Sequence, residues 1–194
     1  MKTIELLSEI SLTFIKLDDF DNQMNTVLKI IGKHLDVSRV YVFTDNESGT
    51  AAGTVYEWCN TGIKPQINQL LNGLYPIIPS WKRILEKEGR IYSEKINELP
   101  SVLFDILAPR NILSIIVYPL IVEYKMTGFI GLECVQSRKW TDIELEMLKT
   151  VSGIISSSME RDLLQKRLRQ SENNFRSFFN TIDDLFIVVN MDGD

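Results

Sequence analysis

Between Trp140 and Leu185 the chain carries no proline and one glycine, Gly153. The run opens on Thr141-Asp142-Ile143-Glu144, where a threonine and a glutamate three residues on have the spacing of a capping box, a helix-start signal. Apolar or small residues then recur at Met147, Thr150, Ile154, Ser157, Leu164, Leu168, Ser171, Phe175, Phe178, Ile182 and Leu185. Steps of four and three alternate along this series, and only Arg161 breaks it. That is the period of a coiled-coil seam, in which an apolar stripe packs against the stripe of a second helix. The pattern predicts one long helix and a homodimer through paired helices, with Met147, Ile154, Leu164, Leu168, Phe175 and Phe178 at the seam. Packing is expected to be looser before Leu164, where Ser157 and Arg161 interrupt the stripe, and tighter from Leu164 to Phe178. The charged residues from Glu160 to Gln170 read as its solvated flank.

The residues before this run divide into short elements. Ile4, Leu7, Ile10, Phe14 and Ile15 predict a helix over 3–16, and a polar break at Asp18-Asp19 follows, with Asp21 able to cap the next helix. Met24, Val27, Leu28, Ile31 and Leu35 form a one-face stripe to Leu35. Arg39 to Phe43 and Thr54 to Cys59 are β-branched and aromatic, long enough to pair as a hairpin around the turn-rich Asp45–Gly49. A less regular stretch to Arg90 includes a short helix through Trp81, Ile84 and Leu85 that ends at Gly89. A short strand at Ile91–Ser93 and a helix from Pro100 to Leu107 come next. Leu113–Val122 and Met126–Val135 are apolar on both faces, as central strands covered on each side would be. Gly128 and Gly131 suggest close approach by a helix or a ligand. Short connections between adjacent strands predict an α+β fold, an antiparallel sheet with helices packed on it.

Several function classes find no support. The 26 acidic residues outnumber the 21 basic ones, for a net charge of −5, which argues against nucleic-acid binding. The longest apolar runs fall far short of the ~20 residues needed to span a bilayer. The N-terminus has no signal-peptide pattern, and the expected location is cytoplasmic. Cys59 and Cys134 are isolated thiols that suit a reducing compartment. The single histidine, His34, has no evident metal or acid–base partner. No zinc spacing, nucleotide loop or phosphoacceptor helix is present. No catalytic residue, metal site or cofactor is therefore assigned.

Several segments together carry a family resemblance. These are Val37-Ser38-Arg39-Val40-Tyr41-Val42-Phe43, Tyr56-Glu57-Trp58-Cys59 and Ile112 to Leu120, followed by Gly128-Phe129-Ile130-Gly131-Leu132-Glu133 and by Trp140 with Glu144 and Leu148. In this order and spacing the chain resembles the GAF domains found upstream of PAS domains in bacterial sensor kinases. The tail from Glu172 to Gly193 resembles the opening of a PAS domain, a short helix feeding a first strand that ends in an Asp-Gly turn. The resemblance implies a GAF-like sensor domain over 1–160, a connector helix over 161–180 and the start of a PAS domain over 175–194. The long helix should then stop near Asp183 or Asp184, leaving Leu185–Asn190 as a strand.

The same resemblance implies a pocket between the sheet and the helices after the second strand. Tyr56, Glu57, Trp58, Trp81, Tyr118, Phe129 and Glu133 are its candidate lining, with Glu57, Glu133 and Arg110 as polar handles. Glutamate is disfavoured in strands and costly among apolar neighbours, so Glu57 and Glu133 either serve a ligand, pair with a nearby Arg or Lys, or face solvent at a strand edge. Marks of cyclic-nucleotide, bilin and methionine-sulfoxide-reducing members are missing, and neither cysteine adjoins a histidine. The reading is a sensory input module for an unidentified small ligand or state, within a sensor histidine kinase that continues into PAS and kinase domains. Its alternative is a ligand-free dimerisation scaffold.

Overall fold

The computed structural model describes residues 3–16, 19–45, 52–67 and 78–192, with 52–54, 78 and 180–192 described by their backbone only. Most of the Asp45–Gly49 turn and the final Gly193 lie outside those residues. Helix α1 spans Thr3–Lys16 and buries Leu6, Ile10 and Phe14 at helical spacing. Helix α2, Phe20–Leu35, buries Met24, Val27, Leu28, Ile31 and Leu35. Its cap is Asp19 rather than Asp21, because Asp19 has an extended backbone and its carboxylate accepts from the Asp21 and Asn22 amides. Asp21 sits inside the first turn and accepts instead from the Tyr56 hydroxyl at 2.5 Å.

The strands are β1 (Arg39–Asp45), β2 (Ala52–Cys59), β3 (Ile91–Ser93), β4 (Ser114–Val122) and β5 (Lys125–Cys134). They form one antiparallel sheet in the order β2-β1-β5-β4-β3. β1 and β2 pair as the expected hairpin, and β4 and β5 are central as predicted. Glu123 and Tyr124 turn between β4 and β5 with left-handed backbones, the conformation that a tight hairpin turn demands.

Alternation along β1 assigns the two faces. Val40 and Val42 lie on one with Ile130, Leu132 and Ile116, against which α2 packs. Arg39, Tyr41 and Phe43 lie on the other. Over this second face close α3 (Ile78–Glu88) and α4 (Ser101–Leu107), which bring Trp81, Leu85, Leu103 and Leu107 into one core with Phe43, Ile115, Val117 and Phe129. Each fully buried large side chain contributes about 2 kcal/mol. The glycines expected to admit a helix or ligand instead admit the neighbouring strand. A Cβ on Gly131 would overlap the Tyr41 ring, and one on Gly128 would overlap the Phe43 carbonyl.

The last helix, α5, spans Asp142–Asp192. The capping box forms as its spacing predicts, with Glu144 Oε2 accepting from the Thr141 amide at 2.8 Å and Thr141 Oγ1 accepting from the Glu144 amide at 3.3 Å. The strand expected over Leu185–Asn190 is not formed, since the helix continues through it. An isolated strand leaves its ladder groups unpaired, whereas a helix closes its backbone hydrogen bonds within the segment. By internal contacts the chain divides into two compact units, Met1–Ser157 and Ser158–Asp194. In the first, α5 buries Leu145, Met147, Leu148, Val151 and Ile155, and Ser156 Oγ accepts from the Ile121 amide of β4 at 2.9 Å. In the second, Leu164, Leu168, Phe175 and Phe178 are each more than half exposed. No helix among the described residues is long and apolar enough to cross a membrane.

Candidate functional site

The register of β1 with its neighbours collects ionisable groups at one end of the face beneath α3. Arg39 lies opposite Glu133 of β5 and Cys59 of β2, and Tyr41 lies opposite Glu57 of β2. The Arg39 and Glu133 side chains are almost wholly enclosed, as is that of Glu57. Arg39 Nη1 stands 3.6 Å from Glu133 Oε2, and Arg39 Nε stands 3.9 Å from Glu57 Oε1. Both separations give charge attraction without a hydrogen bond. Arg39 Nε donates to the Lys64 carbonyl at 3.2 Å.

Glu57 is closed by backbone, its carboxylate accepting from the amides of Gln66 (3.0 and 2.9 Å) and Ile67 (3.0 Å). Gln66 in turn binds Arg110 from two sides. Its Oε1 accepts from Arg110 Nε at 2.9 Å, and its Nε2 donates to the Arg110 carbonyl at 3.3 Å. Glu133 is different. Its oxygens make no hydrogen bond of ordinary geometry, but the Tyr41 hydroxyl lies close enough to favour the charged carboxylate and Arg39 Nη1 pairs with it in charge; Arg110 Nη2 is likewise buried without a hydrogen bond of ordinary geometry.

Electrostatics follow from this enclosure. Burial pushes the Glu133 carboxyl above its ordinary value, although Arg110, Arg39 and Tyr41 pull it back part of the way. Burial also lifts the Tyr41 phenol well above its usual range, and the neighbouring Glu133 adds to the shift. The Cys59 thiol is pushed up to about 11 by burial and then by Glu57, so at neutral pH it stays protonated and is a poor nucleophile. Beside these groups lies an aromatic block. Phe129 stacks on Phe43 at 5.1 Å and on Trp81 at 5.3 Å between ring centroids, and meets Tyr41 edge-on at 6.3 Å.

The structure divides the seven candidate lining residues. Glu57, Trp81, Phe129 and Glu133 share the face just described. Tyr56, Trp58 and Tyr118 point to the other, by the alternation of their strands. Tyr56 bonds Asp21 of α2, and Trp58 lies so close to α2 that a Cβ on Gly32 would overlap its ring. Tyr118 lies against α5, sharing a shallow cavity with Lys149 and Ser152. Arg39, Tyr41 and Gln66 join the site without having been singled out. Arg39 did leave a trace, as a charge alternating with two aromatics at the head of an apolar strand. A separate cavity of about 620 Å³ near Ile96, Phe104 and Leu113 includes none of these residues.

Residues 19–159 match the GAF domain family. The chain belongs to it. Within this GAF domain's wider kinship, the methanogenesis regulatory histidine kinase FilI of Methanothrix harundinacea (strain 6Ac) is 32% identical over 151 residues, which make up 74% of this chain and 17% of that protein. Solved structures share the fold at low identity. The phycoerythrobilin-bound GAF domain of a cyanobacterial phytochrome has a TM-score of 0.68 at 15% identity, covering 86% of this chain and 98% of that one. The GAF domain of the Acinetobacter phosphoenolpyruvate-protein phosphotransferase scores 0.63 at 11%, covering 86% and 99%. A domain of a putative two-component sensor histidine kinase from Sinorhizobium meliloti 1021 scores 0.55 at 16%, covering 79% and 99%.

Proposed function

We propose that this GAF domain is the sensory input module of a cytoplasmic sensor histidine kinase and that its ligand site is the enclosed Arg39–Tyr41–Arg110–Glu133 cluster. The observation that carries the reading is the gathering of two arginines, two glutamates and a tyrosine on the helix-covered face of the sheet, an unusual concentration of buried ionisable groups. The kinship with FilI supports the kinase context. The matched residues make up only 17% of that relative, and the tail over 175–194 is read as the start of a PAS domain. The relay is α5, whose first turns are core of the sensor and whose continuation carries an exposed apolar stripe for the same helix of a second copy. Ligand-dependent repacking of the first turns would shift the paired helices.

Bilin-bound relatives raise the question of a covalent pigment. Cys59, protonated and without a neighbouring histidine in sequence, is poorly suited to attach one.

A second reading, a ligand-free dimerisation scaffold, is favoured by the exposed Leu164, Leu168, Phe175 and Phe178. Thermal-shift screening of the 194-residue chain against small polar metabolites, beside sedimentation analysis, separates the two. The sensory reading expects a ligand that raises the melting temperature. A stable dimer that no metabolite stabilises overturns it in favour of the scaffold.

A further inference from the structure

Charges in the second unit's part of α5 sort by where they stand around the helix. Leu164, Leu168, Phe175 and Phe178, each more than half exposed, take the a and d positions of a heptad, with Leu168 and Phe175 at a and Leu164 and Phe178 at d. The helix is unbroken, so the same count puts Arg161 at the preceding a position, Glu160 and Arg167 at g, and Glu172 at e. Asp162 and Lys166 stand at outward positions and pair with each other within the helix at 2.7 Å. Glu160 and Glu172 take no ion pair among the described residues. Arg161 Nη2 donates to the uncharged Ser158 Oγ at 3.0 Å. In a parallel, in-register pair of helices, a g residue faces the e residue five positions on in the other helix, and an a residue lies beside the other helix's preceding g residue. In an antiparallel pair g faces g and e faces e. Arg167 and Glu172, at g and e and five apart, therefore meet only if the helices run parallel.

We propose that α5 pairs with the same helix of a second copy as a parallel, in-register coiled coil, with Arg167 facing Glu172 and Arg161 beside Glu160 across the seam. The assignment rests on the relay proposed for α5 and gives it a direction and a register. The twofold symmetry of such a pair makes each contact occur twice. Arg161, the one break in the stripe, then has a role: a charged residue at a single a position gives up apolar packing but fixes the alignment. A slip of one heptad would set Arg161 against Leu168 and Arg167 against Gln165 or Phe179, and both opposite-charge contacts would be lost.

The test is sedimentation equilibrium and thiol cross-linking of the 194-residue chain. Arg167→Glu turns two attractions into repulsions and should weaken the dimer about tenfold or more. Glu172→Arg should do the same, and the two substitutions together should restore the parental affinity. Both side chains are exposed, so neither change threatens the fold of the sensor. Leu164→Cys should form a disulfide between copies on mild oxidation, with the parent as control, since its Cys134 is buried and its Cys59 partly so. In an antiparallel pair the two Leu164 positions would lie roughly 15 Å or more apart along the axis, beyond disulfide reach. A dimer without that cross-link, or one that the charge reversals leave unchanged or that the double substitution fails to restore, overturns the proposal but leaves pairing through the stripe standing. A chain that stays monomeric at the highest attainable concentration removes both the proposal and the paired-helix relay, and leaves ligand binding to the thermal-shift screen.

Discussion

Glu133 is a fully buried carboxyl on a central strand, and its burial has a measurable signature in pH. Its folded-state pKa is raised, chiefly by desolvation. Above the ordinary value of 4.5 the unfolded chain has released a proton that the folded chain retains, so stability falls as pH rises through that window. Urea unfolding from pH 4.5 upward should show Glu133→Gln gaining stability relative to the parent as pH rises. An unchanged difference across the range would mean that the carboxyl is ionised throughout. The glycines of β5 make a second test at this scale. Alanine at Gly128 would strike the Phe43 carbonyl, whereas alanine at Gly131 would strike only the Tyr41 ring. Overpacking costs about 1–3 kcal/mol, and backbone yields less than a side chain. Chemical denaturation should therefore place Gly128→Ala at or above the top of that range and Gly131→Ala lower.

Among the elements, α5 has to serve two environments with one helix. Its start is fixed by the Thr141–Glu144 box and by the Arg138–Glu144 ion pair. Burial alone would raise the Glu144 carboxyl, but bonds from the Thr141 amide, Arg138 and the Thr141 hydroxyl outweigh it and hold the pKa below 4.5. A lowered carboxylate stabilises the fold above its ordinary pKa, and that contribution fades as pH falls through the folded-state value. Glu144→Gln should thus cost about 1 kcal/mol at pH 7 and progressively less below pH 4.5, as read by thermal melts. Further along, the exposed stripe makes a separate prediction. Leu168→Glu with Phe175→Glu places carboxylates on the proposed seam, and sedimentation should show the dimer lost. Self-association of the doubly substituted chain at parental strength would remove the seam from the relay.

At the scale of the molecule, the buried apolar residues among those described lie at or before Ile155, and the first compact unit closes at Ser157. Residues 1–160 alone should therefore unfold cooperatively, with a midpoint within a few degrees of the full chain under monomeric conditions. Loss of cooperative melting on removing residues 161–194 would show that the tail contributes to the core.

Much of this architecture was legible in residue order, because local physics sets it. Alternating apolar strands, helical stripes and the capping box arise from neighbours within a few positions, and α1, α2, the hairpins and the start of α5 follow from them. Glu57, Trp81, Phe129 and Glu133 were legible as candidates for a related reason: they are unusual residue types at readable strand or helix positions. The grouping of the site was not legible. Which side of the sheet a strand residue faces depends on register against strands distant in sequence, and one step of register exchanges the faces. For that reason Tyr56, Trp58 and Tyr118 fell away from the cluster, while Arg39, Tyr41 and Gln66 entered it. The tail shows the converse, since the Leu185–Asn190 pattern reads as a strand, yet a strand exists only through partners. Sequence alone determined the elements, the family and the heptad-like stripe. Only the tertiary structure decided that two arginines, a glutamate and a tyrosine come together on one covered face of the sheet, because burial and long-range register are properties of the assembled sheet.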